Sequence, residues 1–297
     1  MQRTWIRTGA TVTPATLLFL LAVLVSGCSV AGPDASGEFR YPLEVGYSWE
    51  YEREFWVSEV GPVASAVMQH VLAETSGVYI RVEGEVVLPD STVSMAMLET
   101  ITSGQDVYES AHFYAEAPEG LYLHAYVPGS SAVAPKPVPG VQLWFKGRRV
   151  TGPADVARLI AGELPLQECR PESMIYEVPP VLVLPSELDV GDQWTVREAG
   201  SPWRVDKRVV GVTRVEVPAG SFVCHVVEWL IDFQVDGEWD EDVEFHDYVS
   251  PHGLVRRSLH FDMVATSPEG DTLGFYETTD VSELVVFDLC PQHVGAS

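Results

Sequence analysis

Regular alternation of apolar and polar residues is the feature that most constrains the fold of this chain. Between Val78 and Leu88 the even positions are apolar or glycine, and most odd positions are polar or charged. The same period of two runs through residues 227–235 and 255–265. Because side chains alternate between the two faces of a β-strand, this period predicts strands with one buried and one hydrated face. Such strands are typical of antiparallel sheets, so the sequence predicts a mainly β protein.

Short turn-forming segments separate these runs. They stand at Pro89-Asp90, Pro118-Glu119-Gly120, Asp236-Gly237 and residues 268–271. Their spacing is typical of hairpins and meanders, and it predicts about ten to fourteen strands in a large antiparallel sheet.

Two stretches interrupt the strand pattern. Residues 128–140 are rich in proline and predict an extended connector. Residues 151–162 predict one short helix, in which Val156, Leu159 and Ile160 share a face that covers the sheet. We therefore expect an N-terminal β half over residues 41–150, a helix and linker over 151–175, and a C-terminal β half over 176–297.

A seven-residue pattern occurs once near the start of each half. Residues 43–49 read Leu-Glu-Val-Gly-Tyr-Ser-Trp, and residues 188–194 read Leu-Asp-Val-Gly-Asp-Gln-Trp. Each copy precedes a predicted strand, so Gly46 and Gly191 are expected in turns that lead into the sheet. Trp49 and Trp194 are expected to pack in the core. The repeat predicts that the two halves have similar structures.

The first 27 residues have the layout of a secretory signal peptide. Arg3 and Arg7 form a basic start without acidic residues, and residues 15–25 are apolar apart from Thr16. This apolar run is about half of the roughly 20 residues that a membrane-spanning helix needs. The run ends in Val-Ser-Gly-Cys, which resembles the lipobox of bacterial lipoproteins. We therefore expect residues 1–27 to be removed and Cys28 to be lipidated.

The segment after Cys28 is small, polar and rich in turn formers, which predicts a flexible tether over residues 28–40. Two or more acyl chains hold a protein stably at a bilayer, so the mature chain is expected to be anchored in the cell envelope without spanning the membrane. By resemblance to lipoproteins of two-membrane bacteria, the lack of an aspartate after Cys28 implies the outer membrane, facing the periplasm or the cell surface.

Charge and cysteine content narrow the partners further. Loss of residues 1–27 leaves 16 basic and 43 acidic residues, a net charge of −27, so nucleic acid is not expected as a partner. With Cys28 lipidated, Cys169, Cys224 and Cys290 remain, which permits one disulfide and one free thiol in an oxidising compartment. The sequence leaves all three pairings open, and the spacing matches no zinc or redox motif.

Three segments resemble a poorly characterised group of bacterial exported lipoproteins. Residues 41–51 match its Tyr-Pro-Leu-x-Val-Gly-x-x-Trp opening, residues 217–222 its Val-Pro-Ala-Gly-x-Phe segment, and residues 248–256 its aromatic-x-x-Pro-x-Gly-Leu-Val-Arg segment. The resemblance covers residues 41–52 and 184–261. It implies a curved antiparallel sheet of the half-barrel kind, with distant kinship to periplasmic lipoprotein carriers. From the residues alone, Pro218, Gly220 and Gly253 are expected to have structural roles in turns.

Candidate sites for chemistry are few. The sequence contains no HExxH, GxSxG, P-loop or GxGxxG motif, so an enzyme is unsupported and no cofactor is expected. Asp242, His246 and His252 belong to the densest group of carboxylates and imidazoles and are candidate ligands for a divalent cation in a secreted hydrolase. A charged hairpin tip followed by a hydrated strand face explains the same carboxylates without a metal.

A second candidate site is aromatic. His112 and His124 lie on neighbouring predicted strands that also carry several tyrosines. The candidate groove residues are Tyr108, His112, Tyr114, Tyr122, His124 and Tyr126. They could line a ligand groove, or they could pack against each other as cross-strand pairs.

These observations predict a non-enzymatic, lipid-anchored module that binds a protein or a hydrophobic molecule. A carrier of a hydrophobic ligand or of lipoproteins is the first alternative, and the secreted metal-dependent hydrolase is the second. A carrier requires an open cavity on the concave face of the sheet, whereas a scaffold would fill that face with residues such as Trp49, Trp194 and Trp229.

Overall fold

A computed structural model describes residues 39–60, 72–128, 141–152, 156, 159, 160, 174–198 and 203–290. The predicted signal peptide, Cys28, most of the tether, nearly all of the connector and Cys169 lie outside the described residues. The described part contains fourteen strands. They are β1 (Ser48–Val60), β2 (Leu72–Val87), β3 (Val93–Ser103), β4 (Asp106–Ala117), β5 (Gly120–Val127), β6 (Gln142–Phe145), β7 (Arg148–Val150), β8 (Ile175–Pro185), β9 (Gln193–Arg197), β10 (Arg204–Val217), β11 (Gly220–Asp232), β12 (Val243–Ser250), β13 (Gly253–Thr266) and β14 (Thr272–Asp288).

Twelve of these strands form one antiparallel sheet in the order β8-β5-β4-β3-β2-β1-β14-β13-β12-β11-β10-β9. Each of the four predicted turns connects two neighbouring strands of this meander. The first and last of the described strands, β1 and β14, pair over thirteen residue pairs. The mainly β, antiparallel fold is thus confirmed, and the sheet curves beyond a half-barrel into a nearly closed barrel.

The strands β8 and β9 are the two ends of the sheet, and no backbone ladder joins them among the described residues. Pro179 and Pro180 stand in β8, and proline has no N–H to donate to another strand, which suits β8 to a sheet edge. Side chains bridge this junction instead. The guanidinium of Arg197 donates to both carboxylate oxygens of Glu177 at 3.1 and 2.5 Å, and Lys207 Nζ donates to the carbonyl of Val183 at 3.3 Å. We call this junction the seam.

The two copies of the seven-residue pattern have the same local structure. Gly46 N–H donates to the carbonyl of Val82 at 2.8 Å, and Val82 N–H donates back to Tyr47 at 2.9 Å. In the second copy Gly191 and Asp192 make the equivalent bonds with Val209, also at 2.8 and 2.9 Å. Gly46 and Gly191 have φ of 91° and 101°, which favours glycine. The copies therefore occupy equivalent positions in two runs of six strands, β1–β5 with β8, and β9–β14.

A β-bulge follows the strand residue that is hydrogen-bonded to each glycine turn. The register shifts between Val82 and Gly84 in β2 and between Val209 and Gly211 in β10. The alternation of buried and exposed positions expected for residues 78–88 is present, but after the first bulge Val86 and Leu88 join a separate small cluster with Phe113. The strand expected through Val235 was too long, because β11 ends at Asp232 and Val235 lies exposed in the turn.

Inside the barrel, two apolar clusters are separated by a polar layer. The first core contains Trp49, Val82, Val209, Val249 and Val255, and the second core contains Val205, Phe245, Leu259 and Phe261. Along β10, β12 and β13 the inward positions between the two cores are occupied by Lys207, Asp247 and Arg257.

The second core is closed by the segment between β5 and β8. Hairpin β6–β7 pairs with the end of β13, and the ring of Phe145 lies 5.0 Å from that of Phe233. The helix expected over residues 151–162 is described at only three positions, Val156, Leu159 and Ile160, which are helical and buried in this core. Within the described residues, no helix combines the length and apolar character needed to cross a membrane.

Candidate site in the barrel interior

A cavity of about 260 Å³ lies between the two cores. Ten strands, β2–β5 and β8–β13, contribute to its wall, so it is the interior of the barrel. Most of the wall is apolar. The aliphatic residues are Ile80, Met97, Leu121, Leu123, Val181, Val183, Leu184, Val196, Val205, Val249 and Leu254. Apolar walls with a few placed polar groups are typical of small-molecule sites.

The polar side of the cavity is organised around Asp247. Arg257 donates to the two carboxylate oxygens of Asp247 at 2.7 and 3.1 Å, and Trp229 Nε1 donates at 2.9 Å. Burial would raise the pKa of Asp247, but the charge and hydrogen bonds of Arg257 hold that pKa below its ordinary value. The Arg257 side chain remains 41% accessible although it lies deep in the barrel, because it faces the cavity.

Lys207 lies beside this pair without an ion-pair partner of its own in the described residues. It is 2% exposed, and its ammonium lies 3.9 Å from the centre of the Trp229 ring, a cation–π contact. Both oxygens of Asp247 are already occupied by Arg257 and Trp229. Burial lowers the pKa of Lys207 to about 8, although the charge of Asp247 opposes this shift. Lys207 is therefore a buried ammonium at neutral pH.

Aromatic groups form the opposite side of the cavity. His112 stacks with Tyr114 and Tyr126 at ring distances of 6.0 and 6.4 Å. Burial lowers the pKa of His112, so its imidazole is neutral at pH 7. Burial also raises the pKa of Tyr41 to about 12 and that of Tyr114 above its ordinary value. These rings are therefore uncharged hydrogen-bonding groups.

Three of the six candidate groove residues predicted from the sequence line this cavity. His112, Tyr114 and Tyr126 line it, whereas Tyr108, Tyr122 and His124 do not. The physical reason on β5 is a bulge in the β4–β5 pairing, which places Leu123 opposite Tyr114. As a result Leu123, and not its neighbours Tyr122 and His124, faces the interior.

The three candidate metal ligands are not brought together. Asp242 contacts Lys146 before β12, and His246 stands opposite Ser258 in the sheet. His252 lies in the β12–β13 hairpin, where its ring packs against Phe287 at 5.3 Å. Across the described ranges, no three His, Cys, Asp or Glu side chains are grouped so that they could hold a metal ion. The geometry gives the metal-dependent hydrolase no support.

The structural residues singled out in the sequence lie at turns or in the cores. Trp49 is 1% exposed, and its Nε1 donates to the carbonyl of His252 at 2.7 Å. Trp194 packs partly buried against the same first core. Pro218 lies in the β10–β11 turn, and Gly220, the first residue of β11, has a φ of 134°. Gly253 begins β13 directly against the Trp49 ring.

A second cavity of about 440 Å³ adjoins the interior at one end of the barrel. It is lined by Phe39, Arg40 and Tyr41, by the β4–β5 hairpin and by the end of β8. Tyr41, Leu121 and Leu184 line both cavities. We call this second cavity the vestibule; it lies where the chain arrives from the predicted tether.

The sequence-based search missed Lys207, Asp247 and Arg257. The sequence does contain a pattern that indicates them. Each charged residue lies two positions from buried apolar residues on both sides, so its side chain is expected on the inward face of its strand. The triplets are Val205-Lys207-Val209, Phe245-Asp247-Val249 and Val255-Arg257-Leu259. One charged residue at an inward position of a strand carries little information. Three such residues, on β10, β12 and β13, indicate a shared polar layer.

Comparisons with known proteins add little. No protein-family profile matches the chain, and no curated protein matches it. Two solved structures align with 84% of this chain and 99% of their own. One is a protein with a YmcC-like fold from Bacteroides fragilis, inferred to be exported, at 12% identity and a TM-score of 0.30. The other is inferred to be a lipoprotein, from Parabacteroides distasonis, at 12% identity and a TM-score of 0.29. Similarity at this level gives no information on function.

Proposed function

We propose that this chain is a lipid-anchored lipoprotein of the cell envelope whose barrel binds a small, partly apolar molecule in its interior. The single observation that supports binding is the cavity of about 260 Å³ between two packed cores. A scaffold would fill the interior from end to end, whereas here Trp49 fills one core and the middle layer stays open. The volume lies just below the usual range of ligand pockets, so the ligand is small.

The anchor is supported by the residues that precede the barrel. The Val-Ser-Gly-Cys segment ends at Cys28, and Phe39, the first described residue, lines the vestibule. A fully extended chain between them reaches roughly 40 Å. The vestibule is therefore held near the membrane surface, on the side from which an amphipathic ligand would arrive.

Native mass spectrometry of the mature chain tests the binding proposal. The chain carries Cys28→Ser and is exported behind a cleavable signal, so that no covalent lipid confuses the mass. We expect a co-purified mass, or uptake of an added aliphatic probe, that is lost when Leu123→Trp fills the cavity. The matched control is Val178→Trp on β8, since Val178 is 89% exposed. An empty protein that takes up no probe would contradict the proposal.

Incorporation of an alkyne-labelled fatty acid tests the anchor. The wild-type chain is expected to be labelled and to fractionate with membranes, and the Cys28→Ser chain is expected to lose the label. Labelling that persists in the variant would contradict lipidation at Cys28.

A further inference from the structure

We infer that the ligand carries a single negative charge, with the chemistry of an aliphatic carboxylate, and that this anion binds Lys207 in the barrel interior. The inference rests on the proposed function and names the chemical class of its ligand.

The interior has a different charge balance from the rest of the molecule. The whole chain has 18 basic and 43 acidic residues, whereas the cavity wall has three cations, Arg197, Lys207 and Arg257, and two carboxylates, Glu99 and Asp247. Arg197 is paired with Glu177 across the seam, and Arg257 is paired with Asp247. Glu99 acts on Arg257 and on His112, while the charges that act on Lys207 are those of Asp247 and Arg257. Of the three cations in this wall, Arg197 and Arg257 form ion pairs with carboxylates, and Lys207 forms none among the described residues.

The ammonium of Lys207 has unused hydrogen-bonding capacity. It has three donors, and its contacts among the described residues are the carbonyl of Val183 at 3.3 Å and the face of Trp229. The charged groups that act on it are Asp247 from β12 and Arg257 from β13. A buried charge is stabilised by an opposite charge with good hydrogen-bond geometry. An anion in the cavity would supply both.

The ligand is expected to carry one negative charge rather than two. One unbalanced ammonium is neutralised by one carboxylate, whereas a dianion would leave excess negative charge buried near Asp247. Next to Lys207 in the wall are Val183, Val196 and Val205, and the wall continues as aliphatic side chains toward Leu121 and Leu184 at the vestibule. A hydrocarbon chain fits this wall with its carboxylate at Lys207.

Matched ten-carbon probes test this inference on the mature Cys28→Ser chain. Decanoate, decanol, decylamine and decyl phosphate are compared by calorimetry at pH 7. We expect decanoate to bind at least about tenfold more tightly than decanol, the difference expected from a charge-assisted hydrogen bond. Lys207→Met is expected to lose this preference and to keep its affinity for decanol, which shows that the cavity is intact. Arg208→Met, on the exposed side of the same strand, is expected to behave as wild type.

The pH dependence gives an independent readout. The affinity for decanoate is expected to fall as the pH rises past about 8, where Lys207 loses its proton, while the affinity for decanol stays constant. Equal binding of decanoate and decanol, or a preference for decylamine or decyl phosphate, would overturn the inference and leave the binding proposal standing. Failure of all four probes would instead count against the binding proposal itself.

Discussion

Lys207 occupies a position where the alternation of β10 requires an apolar side chain, and burial of its ammonium destabilises the fold. The native pKa of about 8 lies below the ordinary value of 10.5, so between these values the unfolded chain binds more protons than the native chain. Stability therefore rises with pH across this window, and the penalty is fully present below pH 8. A residue that destabilises the native state in this way is typical of a functional site.

Replacement of Lys207 by methionine is expected to stabilise the protein by about 3 kcal/mol at pH 7. The gain should shrink between pH 8 and 10.5, because the wild-type lysine becomes neutral there. Urea unfolding at pH 7 and pH 10 measures the difference in the free energy of unfolding between the variant and the wild type. The buried tyrosines are present in both chains, so their titration cancels in this difference. A variant that is less stable than wild type at pH 7 would show that the Trp229 contact and hydrogen bond of Lys207 outweigh its burial.

Gly253 packs directly against the buried ring of Trp49. Its φ is 104°, and a Cβ there would stand 2.9 Å from Nε1 of the buried Trp49. Gly237 has a φ of 89° and open space around it, which makes it a matched control. We expect Gly253→Ala to lower the free energy of unfolding by about 3 kcal/mol, and Gly237→Ala by about 1 kcal/mol, since only the first adds a clash to backbone strain. Equal losses in urea unfolding would contradict this assignment.

At the scale of elements, the seam is the junction that depends on side chains. The Arg197 and Glu177 side chains are only 13% and 11% exposed, so loss of one partner leaves a largely buried charge. Arg197→Met is therefore expected to speed amide hydrogen exchange in β8 and β9 by about tenfold or more, and to leave β1 and β14 unchanged. Arg208→Met is the control, because its partner Glu228 lies on a strand already paired with β10. Unchanged exchange at β8 would show that other contacts close the seam.

Most elements of the barrel could be predicted from the sequence, because alternation and turn residues are local signals. The strands around Val78 and Val255 and the turns at Pro118 and Pro268 follow from a few neighbouring residues. The bulge after Val82 and the pairing of β6 with the end of β13 depend on contacts between distant segments, and no local pattern shows them. The sequence predicted a half-barrel and not a nearly closed barrel, because the curvature of the sheet also depends on contacts between distant segments.

The candidate site was predictable only in part. His112, Tyr114 and Tyr126 were found because aromatic residues are concentrated in two short segments. Lys207, Asp247 and Arg257 come from three strands, and their meeting depends on the register of those strands. The two glycine turns were identified as a repeat, but their identical hydrogen bonds to Val82 and Val209 required the structure.

At the scale of the whole molecule, the cysteines are divided between a disulfide and a free thiol. Cys290, just after β14, is disulfide-bonded, and Cys224 is a buried free thiol. The partner of Cys290 lies outside the described residues, and if Cys28 is lipidated we expect it to be Cys169. The resulting covalent loop would contain the entire second run of six strands, and its reduction is expected to destabilise the protein by about 4 kcal/mol.

Peptide mapping without reduction checks this pairing. A Cys169–Cys290 linked peptide is expected, and Cys224 should react with an alkylating agent only after unfolding, because it is buried and its pKa is raised to about 11. A linked peptide that contains Cys224 would contradict the pairing.

The two equivalent glycine turns give the barrel the plan of two six-stranded units joined head to tail. Two separate copies of one such unit would meet at two identical junctions, related by a twofold axis. In the single chain these junctions have become unequal. The junction of β1 with β14 is sealed by a ladder of thirteen residue pairs, while that of β8 with β9 is held by side chains. Parting β8 from β9 breaks no backbone ladder among the described residues, so the barrel is expected to open at the seam before it opens between β1 and β14.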